Sequence, residues 1–544
     1  MKHSIYLVLF FWSVSLFSQN HVFTKKDTLR GNISSDRTWW DLQKYELKIA
    51  VNINTKSISG SNKITYKVLE SRNRIQIDLQ DPMRITKITQ DKNLLRSERN
   101  GESYTIFLDK KQFIGSLNNF TIEFEGTPKE TTGAPWKGGF TWEKDINGYD
   151  FIATTCQGDG ASLWWPCKDH LYDEPDKGIE LFYTVPKKLV AVGNGRLIDT
   201  TLDTINNSKT YHWKVINPIS NYAVQMSIGN YVSYQENYNG EAGVLDCNYY
   251  VLKHNFSKAK SQFKQVSKML EAFEFWFGPY PFYEDSYKII ETTYLGMEHQ
   301  SAIGYGNGFK NGYMGKDLSG TGWGLKFDFI IIHESGHEWF GNNITNKDIA
   351  DMWIHESFTN YSEAIYLEHH FGKRAANEYL VGIRKNIRND KPIIGNYNVN
   401  DQGSSDMYFK GANMLQIIRN VIDNDGTWRL LLRGLNKSFY HKTVTTNEIE
   451  NYISNFTNID FTLVFDQYLR TTQIPTLEYK ISKKNIKYRW THCIENFNMP
   501  VTAYLNNIQI KLKPKTSWKK IKCSYKIQKF VIDKNFYINT KIED

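Results

Sequence analysis

The stretch that decides the fold is Phe327-Asp328-Phe329-Ile330-Ile331-Ile332-His333-Glu334-Ser335-Gly336-His337, followed at a distance by Glu356. Read as one helix, it places His333 and His337 at i and i+4, two imidazoles on one face about a turn apart. Glu356 lies 19 residues after His337, inside Asp351 to His370, which reads as a second helix. A carboxylate there can close a set of two histidines and one glutamate, which holds zinc while leaving a position open for chemistry. Glu334, next to the first ligand, is placed to act as a general base. The short pattern also occurs with surface histidines on ordinary amphipathic helices. Here Ile330-Ile331-Ile332 before the pair and Trp339-Phe340-Gly341 after it argue for a buried helix. Buried bare imidazoles need polar partners, and a metal ion answers that need.

Working outward, the chain has 544 residues, 40% hydrophobic and 15% aromatic, enough for roughly two to four domains. Residues 1–20 read as a signal peptide: Lys2 and His3 precede an apolar run from Ile5 to Phe17, shorter than the ~20 residues that span a bilayer. No cysteine nearby could carry a lipid, and no later stretch is long and apolar enough to span. The expectation is export to a periplasmic or extracellular space with no transmembrane segment after cleavage. Five cysteines are too few for a disulfide scaffold. Cys156 and Cys167 are close enough in sequence to pair, and spacing leaves that open. The net charge of +9 sits in the tail, where 15 Lys+Arg face 5 Asp+Glu from Thr476 onward. Lys511, Lys513 and Lys515 alternate as on the solvated face or edge of a strand, so no nucleic-acid partner is inferred.

Between Trp39 and Glu125, short alternating runs such as Tyr45-Glu46-Leu47-Lys48-Ile49 are separated by turn residues, the pattern of a large antiparallel β domain. It continues through Leu181 to Tyr231. From Lys258 the apolar spacing turns helical and stays so to about Leu469. Strand patterns return after Pro475. The expected division is a β domain over 21–232, a mainly helical catalytic domain over 233–474 and a β module over 475–544.

Upstream of the metal helix lies Gly296-Met297-Glu298-His299-Gln300. Together with His333-Glu334-x-x-His337, Glu356, Trp339-Phe340-Gly341-Asn342 and Met407-Tyr408-Phe409-Lys410-Gly411, it resembles the gluzincin zinc aminopeptidases of peptidase family M1, relatives of alanyl aminopeptidases and leukotriene hydrolase. Cys156-Gln157 through Pro166-Cys167-Lys168-Asp169, Phe277-Gly278-Pro279-Tyr280-Pro281-Phe282 and Phe465-Asp466-Gln467-Tyr468-Leu469 extend the resemblance over most of the chain. It implies a multidomain α+β fold: a saddle-like antiparallel β domain, a thermolysin-like catalytic domain and a small C-terminal β-sandwich, without the large helical domain of longer members and with a more open cleft. It implies one zinc ion per chain on His333, His337 and Glu356, with Glu334 as base and Tyr408 as oxyanion donor. Gly296, Met297, Glu298 and Gln157 would bind substrate, Glu298 anchoring the α-ammonium of peptides with a free N-terminus. Three departures from the family pattern remove no ligand, base or oxyanion donor but leave the shape of the first specificity pocket open: His299 for an asparagine, His355 for an asparagine and Ser162 for a frequent arginine. His299 reads as a structural histidine with its hydrogen bonds satisfied, with contact to substrate as the alternative. Glu363, seven residues after Glu356 on the same helix face, is a candidate partner for a ligand imidazole. The readings that compete with an aminopeptidase are a thermolysin-type endopeptidase, against which the Glu298 and Gln157 segments speak, and a peptide-binding scaffold without catalysis. The sequence leaves the preferred N-terminal residue, the natural substrate and the oligomeric state open.

Overall fold

The computed structural model describes residues 22–543; the signal-peptide expectation for 1–20 lies outside the described residues. The N-terminal part is built on an eight-stranded sheet. Its centre is the strand Trp40–Asn52, antiparallel to Ser57–Val68 and parallel to Ile179–Pro186. Tyr45, Leu47 and Ile49 are buried while Lys48 and Ala50 are exposed, so the two-residue alternation has set which face joins the core. A second sheet of four strands includes Asp150–Thr155. Trp39, Trp40, Trp164, Trp165 and Trp213 fill the shared core.

The middle of the chain opens with a five-stranded sheet that ends in the short strand Gly296–Met297. Antiparallel pairing with Ile303–Tyr305 covers one edge of that strand. Helices follow. Asp328 caps the first of them, Phe329–Gly336, accepting from the amides of Ile330 (3.1 Å) and Ile331 (3.4 Å), which fixes where the helix starts. Trp353–Phe371 is the second, and every residue from Trp353 to Leu367 is buried. A helix hydrophobic or buried all round lies in a core. Gly336 lets the two helices meet: a Cβ there would stand 2.5 Å from Ser362 Oγ.

The strands after Pro475 form a four-stranded and a three-stranded sheet. Leu477, Trp490 and Phe497 of this module belong to the same buried cluster as the helices Phe329–Gly336 and Trp353–Phe371, so the module is packed on rather than tethered. Ile508–Leu512 is an edge strand of the smaller sheet, in keeping with the alternating lysines. Cys156 and Cys167 are buried free thiols, which resolves the pairing left open above. Among the described residues no helix is long and apolar enough to cross a membrane.

Candidate metal and peptide site

The facing helices bring His333, His337 and Glu356 together, all buried, with ligand atoms within 4.8 Å of one another. Glu356 Oε2 lies 3.6 Å from His333 Nε2 and 3.4 Å from His337 Nε2. The other ring nitrogens are engaged from behind. His333 Nδ1 is 2.7 Å from Glu363 Oε1, as the seven-residue spacing suggested. His337 Nδ1 is 3.1 Å from both the Phe340 carbonyl and Thr359 Oγ1. Glu363 is itself held by Asn360 Nδ2 at 2.8 Å and by the Tyr379 hydroxyl. Such partners fix the tautomer and aim Nε2 inward.

The set fits a divalent cation. Glu356 Oε1 accepts from Tyr408 Oη (2.9 Å) and Gln157 Nε2 (3.3 Å), whereas the buried Oε2 has no hydrogen-bond partner. An orphaned buried carboxylate oxygen facing two Nε2 atoms is what a metal ion would satisfy. The electrostatics agree. Burial lowers the affinity of the His333 ring for a proton, but the nearby carboxylates of Glu356 and Glu363 outweigh it and raise the ring well above the usual histidine range. Burial pushes Glu356 upward, and His337 and His333 override it to hold the carboxylate below the usual range. Positive charge is wanted at this point.

Glu334 lines the same cleft, and burial lifts its carboxyl to about 7 against the pull of His333. That is where a general base operates best near neutral pH. Gly296 is required beside it: a Cβ would come within 2.6 Å of Glu334 Oε1. Glu298, at the end of the edge strand, is fully buried and accepts from Gln157 Nε2 at 2.7 Å and Tyr222 Oη at 3.1 Å. Burial raises its carboxyl, with His337 opposing. The nine residues that the family resemblance implied for metal, catalysis and substrate binding all line one cavity of about 720 Å³.

Two family models match this chain: the peptidase M1 N-terminal domain over residues 42–223 and the peptidase family M1 domain over residues 262–468. The chain belongs to peptidase family M1. It is 21% identical to a leucyl aminopeptidase from Saccharolobus solfataricus, over 76% of this chain and 54% of the relative. It is 22% identical to aminopeptidase N from Lactobacillus helveticus, over 80% and 51%. Leukotriene A-4 hydrolase from Xenopus laevis is 21% identical over 77% of this chain and 68% of its own length. The chain thus spans about half the length of the first two relatives. The fold is that of an M1 zinc metallopeptidase variant from Deinococcus radiodurans, at a TM-score of 0.67 and 19% identity, covering 80% of this chain and 95% of that one.

Against the M1 pattern, one local expectation needs adjustment. His299 is buried, but neither ring nitrogen has a hydrogen-bond partner, so it is not a satisfied structural histidine; burial lowers its pKa to about 3. His355 points away from the ligands as helix geometry requires, its Nε2 accepting from the Asn346 amide at 2.9 Å. Ser162 donates to Asp169 in the loop behind Gln157. Sequence reasoning missed Tyr222, the second donor to Glu298. It sits in a single turn, Asn221–Ala223, 76 residues from its partner, and no local pattern marks it.

Proposed function

We propose that this chain is a zinc aminopeptidase that removes the N-terminal residue from peptides, exported by the leader at residues 1–20. The observation that carries this is Glu298: a buried carboxylate with two neutral donors, beside the ligand set but not in it. A peptide's α-ammonium supplies the positive charge that such a group lacks. The edge of Gly296–Met297 that is not paired with Ile303–Tyr305 borders the cavity, so an extended substrate can add there as a strand. Its first residue then lies between Glu298 and the ligand triad.

His333, His337 and Glu356 would hold the zinc ion, which when bound supplies a Lewis acid for the scissile carbonyl and acidifies water. Glu334 takes the proton from the attacking water and passes it to the leaving amine. Tyr408 Oη, whose proton rests on Glu356, turns it toward the developing oxyanion. Gln157 orients Glu298. An internal peptide bond presents no ammonium to Glu298, so the endopeptidase reading leaves that carboxylate without a purpose. The test is a set of peptides with free and acetylated N-termini, with zinc chelated and restored. Release of single residues from free-amine peptides alone supports the proposal; equal cleavage of acetylated peptides refutes it.

A further inference from the structure

The cavity has a second charged wall that the mechanism above does not use. Lys385 and Arg388 line it together with Glu298, Glu334 and Glu356. Both are exposed, and among the described residues their side chains have no ion pair or hydrogen bond. They are the only lysine and arginine lining the cavity. They reach it from the Tyr408 side: the amides of Arg388 and Asn389 donate to Asp406 at 2.8 and 2.6 Å, two residues before Tyr408. Glu298, by contrast, is met by Gln157 and Tyr222 of the N-terminal part.

The backbone that carries these two cations is pinned. Arg384 donates to the carbonyls of Lys534 (2.7 Å) and Asn535 (3.1 Å) in the C-terminal module and to Asn413 Oδ1 at 2.7 Å. Asn386 Nδ2 donates to the Leu318 carbonyl at 3.2 Å. A segment held at Arg384, Asn386, Arg388 and Asn389 carries these side chains on an already ordered backbone, so binding need order only the two side chains. One task of the C-terminal module is then to brace this wall.

A short peptide with both ends free is itself a dipole. With its ammonium on Glu298 and its first peptide bond at the ligand triad, each further residue advances at most ~3.3–3.6 Å. We propose that Lys385 and Arg388 bind the free α-carboxylate of short peptides, making the enzyme selective for peptides that end inside the cleft. This rests on the aminopeptidase reading. Arg388 can grip a carboxylate through its two-pronged guanidinium, while Lys385 adds a point charge.

The test compares three peptides on the zinc-loaded full chain: Ala-Ala-Ala as free acid, Ala-Ala-Ala amide and Ala-Ala-Asp amide. Rates are normalised to an alanyl fluorogenic amide, which reports that the catalytic site is assembled in each variant. The free acid should exceed the amide about tenfold in kcat/KM, carried by KM, as one charge-assisted contact would give. The ratio should fall toward one in Lys385→Ala/Arg388→Ala and be partly kept in Arg388→Lys. High salt should reduce it. Equal rates for acid and amide in the parent, or an unchanged ratio in the double variant, overturn the proposal. Cleavage of the aspartyl amide as fast as the free acid also overturns it, because the wall would then read an acidic side chain rather than a chain end. No turnover of the alanyl amide in the parent would instead sink the aminopeptidase reading, and this inference with it.

Discussion

Replacing Glu363 by glutamine isolates the part of the site that never touches substrate. Its Oε1 lies 2.7 Å from His333 Nδ1, inside the protein, and Asn360 and Tyr379 occupy its remaining acceptor capacity. Glutamine keeps the shape and one acceptor but removes the charge that makes the ring a better donor toward the cation. Loss of such a partner lowers metal affinity by about 10- to 100-fold, which is roughly 1.4–2.7 kcal/mol. Titration of the apo protein with zinc against a chromophoric chelator measures this directly. The apparent Kd should rise by that factor, while kcat at saturating zinc should fall much less. Glu356 and Glu363 raise the proton affinity of His333, so protons compete with zinc for its ring and binding should weaken as pH falls. An unchanged zinc Kd in Glu363→Gln, with the fold intact, would refute the reasoning that aims Nε2 from behind.

The remaining predictions concern the residues proposed to act on substrate and one buried histidine. Glu298→Ala should lower kcat/KM for free-amine peptides by roughly 30-fold to several thousandfold, from a loss of about 2–5 kcal/mol, with zinc content near one per chain by elemental analysis. Glu334→Gln should lower kcat by about 10²–10⁴ with the metal retained. Tyr408→Phe should lower kcat by about 10²–10³. His299 is buried neutral, its pKa lowered to about 3, so the unfolded chain binds the proton first. Its contribution is fully present above the unfolded value of about 6.5 and is lost as pH falls from there toward 3. Between pH 7 and pH 5 this costs about 2 kcal/mol, and His299→Asn should lose less stability than the parent over that interval when zinc-loaded melts are compared.

What could be read in advance depended on how far apart the contacts lie along the chain. His333 and His337 are one helical turn apart, and Glu363 lies two turns past Glu356, so helix geometry alone brings these groups to one side. The alternating runs around Tyr45 are likewise local. Glu298, Gln157 and Tyr408 carry no such signal on their own; their resemblance to a family pattern singled them out. Tyr222, Lys385 and Arg388 were not legible by either route. Their placement follows from how the N-terminal sheets and the C-terminal module pack on the helices, and a loop residue says nothing of that in isolation. His299 shows the opposite failure: local reasoning assumed that a buried ring would be satisfied, and its surroundings provide no partner.

The most direct test of the central claim is a zinc-edge anomalous difference map from crystals of the zinc-loaded chain. One peak should appear between His333 Nε2, His337 Nε2 and the Glu356 carboxylate, with ligand distances of about 2.0–2.2 Å. A peak seated instead in the neighbouring cluster of Glu298, Glu334 and His337, or none at stoichiometric zinc, would contradict it.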